Sequence, residues 1–279
     1  MNLRHILLGL CMLISLSGCT SLFFQPQKNH VLSPERFALE YEDVNFKSAD
    51  GVMLHGWFLP AQGKAKGTVL FLHGNAENIS THILSVYWLP GRGYNVFMFD
   101  YRGYGRSQGQ ADVAGALADA EAALRTLTAR PDIDPGRIVV LGQSLGGALA
   151  ISAVAQSQLR GHIKAVIADS AFSSYNTITR EKMADFWITW PLQWLPWLTI
   201  DDTFSPVNAI AKISPIPLLI IHSEQDRIIP VHHANHLFNA AQNPKELWIA
   251  SPGGHIETLT YEGNRVKLLQ YLGKILGSN

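Results

Sequence analysis

Apolar residues fall along this chain in two rhythms. Residues 41–47 set Val44 and Phe46 between polar neighbours, the two-residue period of a half-buried strand. Asp50-Gly51 supplies a hairpin turn, and 52–59 answers as a second strand. The pattern then changes. Residues 67–72 (GTVLFL) and 95–100 (NVFMFD) are nearly continuous apolar runs, which suit strands buried on both faces. Similar runs at 137–141, 162–168, 216–221 and 245–249 predict four more strands. Helical segments are expected at 78–90 and 111–129, after Ser144, from about 231, and at 256–276.

After the opening hairpin, strands and helices alternate. That order predicts an α/β fold, a mostly parallel central sheet flanked by helices on both faces. Ligands of such sheets bind outside the carboxyl ends of the strands. His73, Asp100, Ser144, Asp169 and Asp226 fall at or just beyond such ends. The chain has 279 residues, and 36–279 is long enough for one such domain with a large core. The interval 171–213 exceeds a standard connection. It holds Phe172, Tyr175, Phe186 and Phe204, and four of the seven tryptophans lie in 187–197, interrupted by Pro191 and Pro196. A small aromatic-rich helical cap over the carboxyl ends is expected there. Its aromatics suit an acyl-binding wall or a lipid-touching surface, and equally plain packing of cap on domain.

Composition changes the picture at the N-terminus. Arg4 and His5 precede an apolar run over 6–16, the pattern of a signal peptide and too short for a comfortable membrane span. The run ends in Leu16-Ser17-Gly18-Cys19, which resembles the lipobox of bacterial lipoproteins, where the cysteine carries the lipid. The expectation is a signal peptide at 1–18, lipidation at Cys19, and a tether at 19–35. Cys11 and Cys19 are the only cysteines, so the domain needs neither thiol nor disulfide. The resemblance implies a bacterial cell-envelope protein held to the membrane by its lipid. Thr20 in place of Asp points to the outer membrane, by similarity to lipoprotein sorting in Gram-negative cells. The formal net charge of zero carries no electrostatic footprint for nucleic acid.

The candidate chemistry centres on Gly142-Gln143-Ser144-Leu145-Gly146-Gly147, a strand-to-helix G-x-S-x-G turn. Together with His73-Gly74-Asn75 and the loop 100–105 (DYRGYG), this resembles the α/β-hydrolase superfamily over 41–279. The resemblance implies a serine hydrolase, since relatives are mostly esterases, lipases, thioesterases and some peptidases. It assigns Ser144 as nucleophile and His255, after the last strand, as base. It assigns Asp226 as the acid, with Glu224 and Asp169 as rivals. The oxyanion donors become the N–H of Leu145 and that of Asn75 or Ala76, with Asn75 preferred; His73 is left a structural role. The expected reaction is cleavage of a small-molecule carboxylic ester or thioester through an acyl-enzyme. An exported peptidase or aminopeptidase, and a non-catalytic hydrolase-like binding protein, are the alternatives. No cofactor is expected, and no metal: His232, His233 and His236 share a helix face, but the sequence sets no acidic residue beside them.

Overall fold

In a computed structural model, which describes residues 23–277, eight strands form one sheet in the order β1-β2-β4-β3-β5-β6-β7-β8. The strands are β1 (Glu42–Lys47), β2 (Met53–Leu59), β3 (Gly67–Leu72), β4 (Tyr94–Asp100), β5 (Ile138–Gln143), β6 (Ile163–Asp169), β7 (Leu218–Ser223) and β8 (Lys245–Ala250). β1–β2 and β2–β4 pair antiparallel, and every other pair is parallel. The α/β class read from the pattern is the fold observed.

The two-residue period explains how one strand serves two cores. In β3, Val69 and Phe71 enter one apolar cluster while Leu70 and Leu72 enter the other. In β5, Val139 and Leu141 face the first cluster, and Ile138 and Val140 the second. Helices α2 (Val113–Thr128) and α3 (Leu145–Gln156) cover one face. The C-terminal helix α8 (Glu262–Leu276) covers the other, through Leu268, Tyr271 and Leu272. β3, β4 and β5 are buried at every position, so their alternation is hidden as continuous apolar sequence.

Some boundaries differ from the pattern. The expected helix at 78–90 is a four-residue α1 (Ile79–His82) followed by 3-10 turns at Ile83–Ser85 and Pro90–Arg92. Ile79, Ile83, Val86 and Leu89 are all buried, but the chain winds tighter than an α-helix. β7 begins at Leu218 rather than 216, because Pro215 and Pro217 have no N–H for the ladder. α8 starts at Glu262, after a loop that carries His255.

The signal segment and Cys19 lie outside the described residues. The reading of 19–35 as a tether needs correction from Phe23 onward. Phe24 is buried in the core, Gln27 N–H donates to Glu77 O (3.2 Å), and Gly105 N–H donates to Gln27 O (2.8 Å). Asn78 Nδ2 donates to the carbonyls of Gln27 (3.1 Å) and Asn29 (2.8 Å). Residues 23–35 are thus a strap laid over the carboxyl-end loops. Between β6 and β7 run five short helices, three of which are α4 (Tyr175–Ala184), α5 (Pro196–Thr199) and α6 (Pro206–Ala209). The other two are 3-10 turns, Trp190–Leu192 and Ile210–Ile213.

Candidate active site

Ser144 sits on the turn between β5 and α3 with φ 54° and ψ −119°, a backbone conformation that L-residues rarely hold. Close packing fixes the turn. A Cβ on Gly146 would stand 2.0 Å from Leu72 O, and one on Gly142 would stand 2.1 Å from Gly146 O. Only glycine lets these backbones meet, which is the reason for the G-x-S-x-G spacing. Ser144 N–H donates to Asp169 O (2.9 Å), tying the elbow to the end of β6.

Ser144, His255 and Asp226 come together. Ser144 Oγ donates to His255 Nε2 at 2.9 Å, and His255 Nδ1 donates to Asp226 Oδ2 at 2.8 Å. The other carboxylate oxygen, Oδ1, accepts from Ile228 N–H (2.9 Å) and Ile229 N–H (2.8 Å). Burial alone would raise the pKa of Asp226. The hydrogen bond and electrostatic attraction of the His255 ring, with those two amides, outweigh it and hold the carboxyl below its usual range. The imidazole lies on a loop that is itself pinned: Ile256 N–H donates to Ser170 Oγ (3.2 Å), and Ser223 Oγ donates to Gly253 O.

The two rivals lie elsewhere. Glu224 is exposed and makes no hydrogen bond to His255 among the described residues. Asp169 is fully buried; Gln143 Nε2 donates to its Oδ2 (2.8 Å), and burial pushes its pKa up to about 6. It faces the imidazole electrostatically without bonding to it.

The residues expected to supply donors to an oxyanion border one cavity with Ser144. Asn75, Ser144 and Leu145 line one cavity of about 340 Å³, and the Leu145 N–H opens α3, where the helix dipole favours negative charge. The Asn75 side chain faces away from that task. Its Oδ1 accepts from Tyr104 OH (2.7 Å) and from Gln25 N–H (2.9 Å), so the loop is moored to the strap and to the DYRGYG loop. His73 is buried beneath, donating from Nδ1 to Gly74 O (2.7 Å), with its ring tilted against Tyr101 at 4.3 Å between centroids; burial lowers its pKa to about 3. Sequence reasoning missed Phe23, which lines the cavity with Phe172, Ile178 and Ile228. None of the four cap tryptophans lines it, so they are not the acyl wall, and all four are exposed, so they are not packed on the domain either.

The helix histidines do acquire an acidic partner, from outside their helix. Glu181 of α4 accepts from His232 Nε2 (2.9 Å) and from His233 Nε2 (2.9 Å), on helix α7 (His232–Ala240). A metal ligand role for His233 conflicts with its other nitrogen. Nδ1 accepts from the Ser173 amide N–H (3.1 Å), which leaves the ring proton on Nε2, where a metal needs a lone pair. The trio is a latch between cap and core.

Residues 63–207 match the family model described as serine aminopeptidase, S33 (Hydrolase_4). The chain is 37% identical over 260 residues to a protein named YfhR, described as uncharacterized, of Escherichia coli O157:H7, covering 92% of this chain and 87% of that one. It is 36% identical over 248 residues to the α/β hydrolase domain-containing protein WAV2 of Arabidopsis thaliana, covering 83% and 77%. Its fold is similar to that of the Pyrococcus furiosus esterase Pf2001, with a TM-score of 0.72 at 23% identity over 91% of this chain and 97% of that one. Strand order, elbow and matched family agree: the chain belongs to the serine aminopeptidase S33 (Hydrolase_4) family and is an α/β hydrolase.

Proposed function

We propose that the protein is a serine hydrolase of carboxylic esters or thioesters, anchored to a bacterial envelope membrane through a lipid on Cys19. The observation that carries the catalytic reading is the continuous hydrogen-bonded chain from Ser144 through His255 to Asp226. Ser144 Oγ attacks the acyl carbon while His255 Nε2 takes its proton. Asp226 holds Nδ1 protonated and stabilises the imidazolium that forms. The N–H groups of Leu145 and Asn75 receive the developing oxyanion; one such donor contributes about 3 kcal/mol. His255 returns the proton to the departing alcohol or thiol. It then activates water, which releases the acid and restores Ser144.

Phe23, Phe172, Ile178 and Ile228 give the cavity an apolar wall, which suits an acyl group. An ester reading draws support from the esterases among the structural relatives. The anchor reading rests on the lipobox resemblance of 16–19. The test is labelling of the full chain by a fluorophosphonate, with turnover of p-nitrophenyl esters, a thioester and an aminoacyl amide. Labelling and ester turnover that vanish in Ser144→Ala are the expected result. A well-folded parent that neither labels nor turns over any substrate would sink the proposal, and preference for the amide would replace esterase by peptidase.

A further inference from the structure

The cap carries its tryptophans outward. Trp187, Trp190, Trp194 and Trp197 are 84%, 62%, 55% and 64% exposed, with Phe186 and Leu198 exposed beside them. At about 150–250 Å² per aromatic side chain, the four tryptophans alone present on the order of 400–650 Å² of surface to solvent. Soluble monomers rarely show contiguous apolar patches beyond a few hundred Å². Residues 186–200 include no charged side chain. Tryptophan on this scale, with a polar N–H on an apolar ring, matches the water–lipid interface of a bilayer.

Two further observations say what this face meets. The first is attachment to the site. The tryptophan segment packs on α4: Arg180 Nε donates to Gln193 O (3.2 Å), and its guanidinium lies 4.8 Å over the Trp197 ring. The same helix lines the Ser144 cavity through Ile178, Thr179 and Lys182. The second is chain length. Phe23 lines that cavity, and only three residues separate it from Cys19. Four extended residues span at most about 14 Å. A lipid on Cys19 therefore holds the cavity mouth within about 14 Å of the membrane surface.

We infer that the exposed cap, 186–198, is a bilayer-docking face, and that the Ser144 cavity opens toward the membrane to receive acyl esters partitioned there. The inference rests on the anchor reading for its orientation and on the hydrolase reading for its substrate. The cap then supplies a second membrane contact beside the lipid, and the two together fix which face looks at the bilayer. The alternative occupant of the patch is a second copy of this chain.

The test uses the full chain, purified from membranes and reconstituted into phosphatidylcholine vesicles whose lipids are brominated high on one acyl chain. Bromine quenches tryptophan only on contact. The expected result is loss of roughly half of the tryptophan emission, since four of the seven tryptophans lie in the cap and interfacial tryptophan rests at headgroup depth. The quadruple variant Trp187→Gln, Trp190→Gln, Trp194→Gln, Trp197→Gln abolishes that quenching. It also lowers turnover of a vesicle-borne long-chain ester at least tenfold while leaving a soluble short-chain ester untouched. Trp187→Gln alone, at the most exposed position, gives a smaller loss of quenching if the quadruple variant does not fold. The intact mass reports the lipid independently. A lipidated, vesicle-bound chain with unquenched emission overturns the inference, as does a cap shielded in a dimer that the variant breaks. Quenching without lipid keeps the docking face and removes the anchor. Neither lipid nor quenching removes both. The quenching needs no turnover, so it stands or falls apart from the serine chemistry.

Discussion

Replacing Asp226 by Asn changes one atom and reverses one hydrogen bond. The direction is set by the surroundings. Ile228 and Ile229 N–H both point at Oδ1, so the amide oxygen of Asn must take that place. Its NH2 then occupies the Oδ2 position, 2.8 Å from His255 Nδ1. A donor facing Nδ1 forces that nitrogen to accept, which moves the ring proton to Nε2. Nε2 now presents N–H to Ser144 Oγ and cannot take the serine proton. Shape and packing survive, but the base is in the wrong tautomer. Where such a tautomer error has been made in other serine hydrolases, kcat falls about 10⁴-fold, or ~5 kcal/mol of transition-state stabilisation. The assay is the rate of fluorophosphonate labelling and kcat on a p-nitrophenyl ester, with circular dichroism to show the fold intact. Asp169→Asn is the control, since Asp169 touches Gln143 and Ser170 but not the imidazole; it should cost less than tenfold. If Asp226→Asn kept its rate within tenfold of the parent, or Asp169→Asn lost the 10⁴, the assignment of the acid would be wrong.

Two other outcomes follow from the geometry. Gly146→Ala drives a Cβ to 2.0 Å from Leu72 O and 2.4 Å from His73 O, both backbone atoms at the rigid end of β3. Overpacking of this kind costs ~1–3 kcal/mol or more, so the thermal midpoint should drop by several degrees and labelling of Ser144 should disappear; an unshifted midpoint would mean the elbow is looser than described. The burial of His233 makes stability acid-sensitive. Burial lowers the His233 pKa to about 4, below its unfolded value near 6.5, so the unfolded chain binds the extra proton first. That contribution is complete above about pH 6.5 and is lost as pH falls toward 4, at ~1.4 kcal/mol per unit. Urea midpoints measured from pH 7 to 4.5 should fall accordingly, and His233→Gln should flatten that slope; an identical slope in the variant refutes buried His233 as its source.

How much of this could be read from sequence depends on how local each constraint is. The elbow is legible because its geometry is set within six residues: two glycines must admit the backbones of β3 and α3, and nothing else fits. The strands are legible because burial on both faces leaves a continuous apolar run. The candidate base His255 and its partner Asp226 needed the superfamily's order, since 111 residues separate Ser144 from His255 and 29 separate His255 from Asp226. Glu181 escaped detection for the same reason, lying 51 residues from His232. An acidic partner sought at i, i+3 or i, i+4 on the same helix could not reveal it. In the cap, composition announced many aromatics but carried no sign of which way they point.

The strap shows a deeper limit. Residues 23–35 have no apolar period, and pattern reading leaves such a segment as a tether. What holds it is chiefly backbone bonding: Gln27 to Glu77 and Gly105, Asn29 to Asn78, and Val31 N–H to Ser80 Oγ (2.8 Å). Backbone groups are the same in every residue, so a segment held by them leaves no periodic trace in sequence. Side chains add to the hold, among them Phe24 in the core, Lys28, whose Nζ donates to Ser107 O (2.9 Å), and His30, whose Nε2 lies 2.8 Å from buried Asp100 Oδ2. Asp100 also accepts Ile79 N–H (3.0 Å) at the start of α1, so one carboxylate joins strap, sheet and the helix that follows the Asn75 loop. The strap is therefore part of the site's scaffold. It moors Asn75 through Gln25, and it sets Phe23 in the cavity wall.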